Sequence, residues 1–161
     1  MIIGLISDVH DNTANLAEAL RRLRAAACRH LLFAGDLTGS RTLDALCRDW
    51  PYELDMVSGN CDPPDLSRAA EGRERVRFHG DCAELLLDDR HIFLTHSPYT
   101  AQNALAYASF DAVFFGHTHR PMNEMHGRTL VANPGDLQGR FGCPSFALYD
   151  TALHSLAHYY L

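Results

Sequence analysis

Five times along this chain a short apolar run breaks into a polar turn carrying Asp, Asn or His. Ile2 to Ser7 runs into Asp8-Val9-His10-Asp11-Asn12, and His30 to Ala34 into Gly35-Asp36. Tyr52 to Ser58 gives way to Gly59-Asn60-Cys61-Asp62, His91 to Thr95 to His96, and Asp111 to Phe115 to Gly116-His117-Thr118-His119. Runs this short and this apolar predict buried strands, although periodicity alone does not exclude a buried helical turn. Open α/β sheets carry their sites just past the carboxyl ends of strands. Asp36 stands at such an end, behind a glycine that lets the backbone turn sharply.

The segments between the runs fill in the pattern. Leu16, Leu20 and Leu23 recur at helical spacing within residues 13–27, with Asn12 or Thr13 as the cap. Residues 1–36 therefore read as a βαβ unit with a parallel sheet. A second helix is expected over 38–49, ended by Trp50-Pro51, and a short exposed helix or loop over the Arg- and Glu-rich stretch 65–74. From Arg75 onward, short β-rich runs at 75–79, 82–88 and 91–95 meet at Gly80-Asp81 and Asp89-Arg90, which predicts antiparallel meanders. An Ala-rich helix over 100–109 and closing strands at 122–125, 129–132, 146–149 and 154–160 complete the chain. One domain over 1–161 is the expectation at this length.

Composition narrows the function. The net charge of -6 argues against non-specific binding to a nucleic-acid polymer, which needs a basic face. All fourteen basic residues are Arg, which excludes lysine Schiff bases and a phosphate-loop lysine. No apolar run approaches the roughly 20 residues that span a bilayer, and no basic segment precedes the first strand, so a cytoplasmic location is expected. Five scattered Cys without a Cys-x-x-Cys pair predict free, mainly buried thiols, with Cys28 and Cys47 on helices.

Asp8 and His10 are two apart and project to one side of an extended segment. Carboxylate oxygen with imidazole nitrogen suits a borderline ion such as Mn, Fe or Zn, while the same residues also fit a polar loop with a helix cap. Asn60 offers an amide oxygen, although Gly-Asn is ordinary turn chemistry. His117 and His119, directly after a strand and a Gly, can face one site. The full candidate set is Asp8, His10, Asp36, Asn60, His96, His117 and His119, with oxygen and nitrogen donors only and no Cys placed as a ligand.

The order Asp-x-His, Gly-Asp, Gly-Asn-x-Asp, His, Gly-His-x-His resembles the calcineurin-like metallophosphoesterase superfamily. Ser-Asp-Val-His-Asp-Asn, Gly-Asn-Cys-Asp and the later Asn-Pro-Gly are most similar to its small single-domain bacterial and archaeal phosphodiesterase branch. The resemblance implies an α/β fold: a four-layer αββα sandwich of two mixed β-sheets flanked by helices, with the ligands on loops at one edge. It implies two divalent ions, one held by Asp8, His10 and His119, the other by Asn60, His96 and His117, with Asp36 bridging. Mn²⁺ is the first expectation, and Fe, Zn, Ni and Co suit the same donors. Ions roughly 3.5–4 Å apart clamp the attacking and leaving oxygens of an in-line displacement, and a bridging hydroxide is the implied nucleophile. The implied partner is a small phosphate-ester substrate and the implied activity phosphodiester hydrolysis. The neighbouring readings are a phosphomonoesterase and a non-catalytic protein-interaction scaffold, since a eukaryotic retromer subunit resembles this fold. Homo-oligomerisation is left open.

One departure matters. Many members of the superfamily have His after the Asn of Gly-Asn-x-Asp, where it protonates the leaving group, and this chain has Cys61. A thiol with a pKa of about 8.5 can donate a proton but substitutes poorly for an imidazolium. Asp62 is a candidate to position the proton donor or a water, or a plain turn aspartate. Asn12 is a phosphate contact or a helix cap, and Arg120 and Arg140 are phosphate contacts or surface residues. His30, His79, His91, His126, His154 and His158 have no motif partner and are expected to be structural or exposed. Residues 63–74 and 136–144 are the expected pocket walls.

Overall fold

The computed structural model describes every residue from Met1 to Leu161. The first half alternates strand and helix: β1 (Ile2–Ile6), α1 (Thr13–Ala25), β2 (His30–Phe33), α2 (Ser40–Asp49), β3 (Glu53–Met56), α3 (Leu66–Ala70) and β4 (Val76–Phe78). Then come β5 (Cys82–Leu87), β6 (Arg90–Thr95), α4 (Pro98–Tyr107), β7 (Ala112–Phe114), β8 (Met122–His126), β9 (Thr129–Asn133), β10 (Ser145–Asp150) and β11 (Ser155–Tyr160). No helix is long and apolar enough to cross a membrane.

Strand alternation assigns each side chain to a layer. Ile6, Leu31, Phe33, Leu54 and Met56 face Leu16, Leu20, Leu23, Leu43 and Leu46 of the helices α1 and α2. Ile3, Leu5, Leu32, Ala147 and Tyr149 face the other way and meet Leu94, Ala112, Phe114 and Leu130 of the second sheet. On that sheet's far side, Phe93, Val113 and Val131 pack against Ala101 of α4. The result is the expected αββα sandwich. Each fully buried aliphatic or Phe side chain contributes about 1.5–3 kcal/mol of transfer free energy.

The first sheet has the order β11-β10-β1-β2-β3-β4 and the second β5-β6-β7-β9-β8. Both are mixed. β1, β2 and β3 run parallel with Ile6, Phe33 and Met56 in register, so their carboxyl ends are level. β6 and β7 are also parallel, and the turn after β7 reaches across to the first sheet through His117 N–H, which donates to Asp8 Oδ2 at 3.0 Å.

Three expectations need correction. Residues 76–78 do not join an antiparallel meander: β4 pairs parallel to β3. The intervening chain contains α3, which makes a parallel crossover possible, and Val76 and Phe78 pack on the helix-side core. Cys28 lies past the end of α1, in the turn before β2. Of the five free thiols only Cys28 is buried; Cys61, Cys82 and Cys143 are exposed. For Cys82 the cause is the pleat, which turns alternate β5 residues outward.

His30 and His79 prove to be structural. Both imidazoles donate to Asp55, each at 2.6 Å, and Arg77 adds a forked contact at 2.9 and 3.1 Å. Asp55 is 1% exposed. Burial alone would raise its pKa, but the donors from His30, Arg77 and His79 outweigh it and hold the carboxyl well below the usual carboxylate range. A depressed folded pKa stabilises the fold above the unfolded pKa of about 3.9 and loses that stabilisation as pH falls below it. Thermal melts should therefore show wild-type stability dropping as pH falls below about 4. Asp55→Asn should cost about 3 kcal/mol near neutral pH and flatten that acid limb.

Candidate metal centre

The five turns meet at one end of the sandwich. The chain after β1 stays tied to the turn after β2, with Val9 N–H at 2.9 Å and His10 N–H at 3.1 Å from Asp36 O. Five of the seven candidate ligands adopt positive φ: Asp8 at 53°, His10 at 44°, Asp36 at 61°, His117 at 69° and His119 at 57°. Such conformations cost non-glycine residues about 1–3 kcal/mol each and concentrate at functional sites. Two glycines make room for the carboxylates. A Cβ on Gly59 would lie 2.1 Å from Asp36 Oδ1, and one on Gly116 would lie 2.9 Å from Asp8 Oδ2.

Each donor is aimed by a second group. Asp8 Oδ2 accepts from Ser7 Oγ at 2.5 Å and from His117 N–H, which leaves Oδ1 pointing into the cluster. Asp36 Oδ1 accepts from Cys61 N–H at 2.8 Å. Its Oδ2 lies 3.5 Å from His10 Nε2 and 3.4 Å from His96 Nε2. His96 Nδ1 donates to Ala34 O at 2.7 Å, which directs the Nε2 lone pair inward. His119 Nδ1 donates to Asp136 at 2.8 Å, and its Nε2 lies 3.3 Å from Asp8 Oδ1. Asn60 Oδ1 sits 3.1 Å from His96 Nε2 and 2.8 Å from His117 Nδ1. All seven predicted donors thus come together.

The cluster fits a cation. Donor atoms of Asp8, His10 and His119 lie within 4.8 Å of one another, as do those of Asp8, Asp36 and His96. Asp8 Oδ1 and His10 Nε2 are buried without any hydrogen-bond partner, a costly condition unless a ligand completes them. Burial raises the pKa of Asp8 despite Ser7, His96 and His119. Burial works against the charge of Asp36 too, but His96 and the Cys61 N–H hold it down at about 2.

The remaining predicted residues sort differently. Cys61 was not expected among the donors, yet its sulfur falls within 4.8 Å of donor atoms of His10 and Asp36. Partial desolvation pushes its thiol up, and the carboxylates of Asp36, Asp62 and Asp8 add to that. Asp62 faces backbone rather than a proton donor: its oxygens accept from the N–H groups of Asp36, Thr38 and Gly59 at 2.8–3.0 Å. It clamps the turns after β2 and β3 together. Asn12 caps α1 by accepting from Asn15 N–H and donates one amide N–H to Gln138 O, as the helix-cap alternative expects. The Arg140 guanidinium lies over the Phe141 ring. Ser7, Asn133 and Asp136 escaped the sequence reading. Asn133 holds the His117 turn by donating to Gly116 O at 2.7 Å. Only its place and that of Asp136 in Asn-Pro-Gly-Asp, another post-strand turn, signalled them.

The chain is thus a two-sheet sandwich with an Asp/His/Asn cluster across its parallel strand ends. The family model for the calcineurin-like phosphoesterase superfamily domain matches residues 1–153, and the chain belongs to that superfamily. It is similar to the phosphodiesterase MJ0936 of Methanocaldococcus jannaschii, 26% identical over 156 residues, 94% of this chain and 93% of that one. The phosphodiesterase YfcE of Escherichia coli is 24% identical over 150 residues, 85% of this chain and 79% of its own. Among solved structures, an archaeal phosphodiesterase superposes with a TM-score of 0.91 over 100% of both chains at 24% identity. Vps29 of Entamoeba histolytica, complexed with zinc, gives 0.71 over 100% of this chain and 98% of its own at 23% identity.

The Asp136 contact predicts a measurable loss. Asp136→Ala frees the His119 ring and should weaken divalent-ion binding about 10–100-fold by equilibrium titration, with little change in the far-ultraviolet circular dichroism.

Proposed function

We propose that this protein hydrolyses small phosphate esters, phosphodiesters first, with two divalent ions. The observation that carries the reading is Asp36, whose Oδ2 stands between His10 and His96 at 3.5 and 3.4 Å. Asp8, His10 and His119 would hold one ion, and Asn60, His96 and His117 the other, with Asp36 shared. When bound, such ions neutralise phosphate charge and make water acidic enough to attack in line near neutral pH. Mn²⁺ is the first choice, and Fe, Zn, Ni and Co suit the same oxygen and nitrogen donors.

The chain's own residues do the rest. His96 and His119 keep fixed tautomers through Ala34 O and Asp136, so their inward nitrogens stay lone-pair bearing. Cys61, whose sulfur stands at the rim of the cluster, is the proposed proton donor to the leaving oxygen. A thiol is a weak acid for that task, so esters with good leaving groups are favoured. The acidic chain still accepts an anion because the charge at the site is set by the ions rather than by the surface.

A second reading, a protein-interaction scaffold, draws on the likeness to Vps29. The discriminating measurement is metal content followed by hydrolysis of an aryl phosphodiester with and without Mn²⁺. Metal-dependent turnover is expected, with Asp36→Asn lowering it at least about 10³-fold. Protein that stays inert under every ion supports the scaffold. Rates on aryl diesters should exceed those on alkyl diesters by far more than rates on aryl monoesters, and equal aryl and alkyl rates would refute the weak-acid role of Cys61.

A further inference from the structure

Beyond His119 the rim of the cluster turns apolar. Phe141, in the loop between β9 and β10, is 64% exposed. Its ring meets the His119 imidazole edge-on at 5.7 Å and 85°. The Arg140 guanidinium lies 5.2 Å from the ring centroid. With Phe115, Arg120, Pro121 and Met122, Phe141 walls an open cavity of ≈ 580 Å³. The opposite flank, against His96 and His117, has a cavity of ≈ 380 Å³ walled by Ser58, Asp81, Ser97 and Thr100 with no apolar side chain. The two flanks therefore suit different chemistry.

We propose that Phe141 is a stacking platform for a planar aromatic ring on one alcohol of the phosphate ester. The substrate class is then aryl or nucleobase-bearing phosphate esters, with the more polar alcohol on the Ser58–Thr100 side. This rests on the phosphoesterase reading and goes beyond it. A single exposed aromatic residue is ordinary on a protein surface. Phe141 differs because it touches a candidate ligand and opens onto an apolar cavity. Arg120 walls that cavity and Arg140 lies against one face of the Phe141 ring, so positive charge stands beside the platform, which complements an anionic ester and opposes an uncharged apolar guest. An aromatic ring on an aromatic side chain gains enough by stacking for about tenfold in affinity.

The test uses phenylphosphonate and methylphosphonate, which carry the same anionic group and cannot be hydrolysed at their C–P bond. Calorimetric titration into the full-length protein loaded with Mn²⁺ should give about tenfold tighter binding of phenylphosphonate. Phe141→Ala should bring the two within about twofold, a ratio in which any common effect on the metal site through His119 cancels. Phe141→Trp should keep the preference, which a merely structural role would not. Two outcomes overturn the platform alone: both phosphonates bind wild type with a ratio near one, or the preference survives in Phe141→Ala. The first is also what a platform built for a protein partner would give. Failure of both phosphonates to bind the metal-loaded protein overturns the phosphoesterase reading along with it.

Discussion

Two carboxylates held out of water, one of them short of a protein partner, govern this molecule. Asp8 is wholly buried, and its Oδ1 has no hydrogen-bond partner. Asp36 is 2% exposed, with one oxygen tied to a backbone N–H and the other facing imidazoles. An uncompensated buried charge costs several kcal/mol. A cluster that leaves an Asp8 oxygen and a His10 nitrogen unpartnered, beside an Asp36 kept ionised by His96 and the Cys61 N–H, fits a cation. The positive-φ backbone at five ligand positions is part of the same expense, and it is met by the packed sheets beneath.

The two sheets contribute unequal halves. The first carries Asp8, His10, Asp36 and Asn60 on the turns after β1, β2 and β3. The second carries His96 on the turn after β6 and His117 and His119 on the turn after β7. The distance between these halves is set by the core between the sheets, where Ile3, Leu5 and Leu32 meet Leu94 and Phe114. Close packing makes that distance stiff. Direct ties then bring the loops to register: His117 N–H to Asp8, His96 to Ala34 O, and Asp62 across three backbone N–H groups. The cluster ends up between a polar flank and an aromatic one.

The grouping of the seven candidate donors as ligands came from the resemblance. Their positions were legible because each stands just past an apolar run, a strand's end being written locally in hydrophobicity and turn residues. The βαβ start and the helix stripes were legible for the same reason. β4 was misread because a three-residue strand shows only its pleat, not its partner, and the choice between sheets depends on what Val76 and Phe78 meet. Asp62, open between a positioning role and a plain turn, is a clamp, while Asp136, expected only within a pocket wall, orients His119. Acceptors of this kind are defined by the groups they face, which lie up to 26 residues away for Asp62. Cys61 was set aside as a donor on residue type alone, and its sulfur stands at the rim through the bend that also gives its N–H to Asp36.

From the sequence alone follow the short strands and helices, the order of the chemistry-bearing turns and the residue types on them, since periodicity and residue type are local properties. The sandwich and the candidate donor set came from the resemblance those turns carry. Tertiary packing alone decided which oxygen of each carboxylate is free, which nitrogen of each imidazole points inward, and that Phe141 and Arg140 flank one side of the cluster. Those outcomes depend on contacts between segments far apart in the chain, where burial and hydrogen-bond geometry, rather than propensity, select the arrangement.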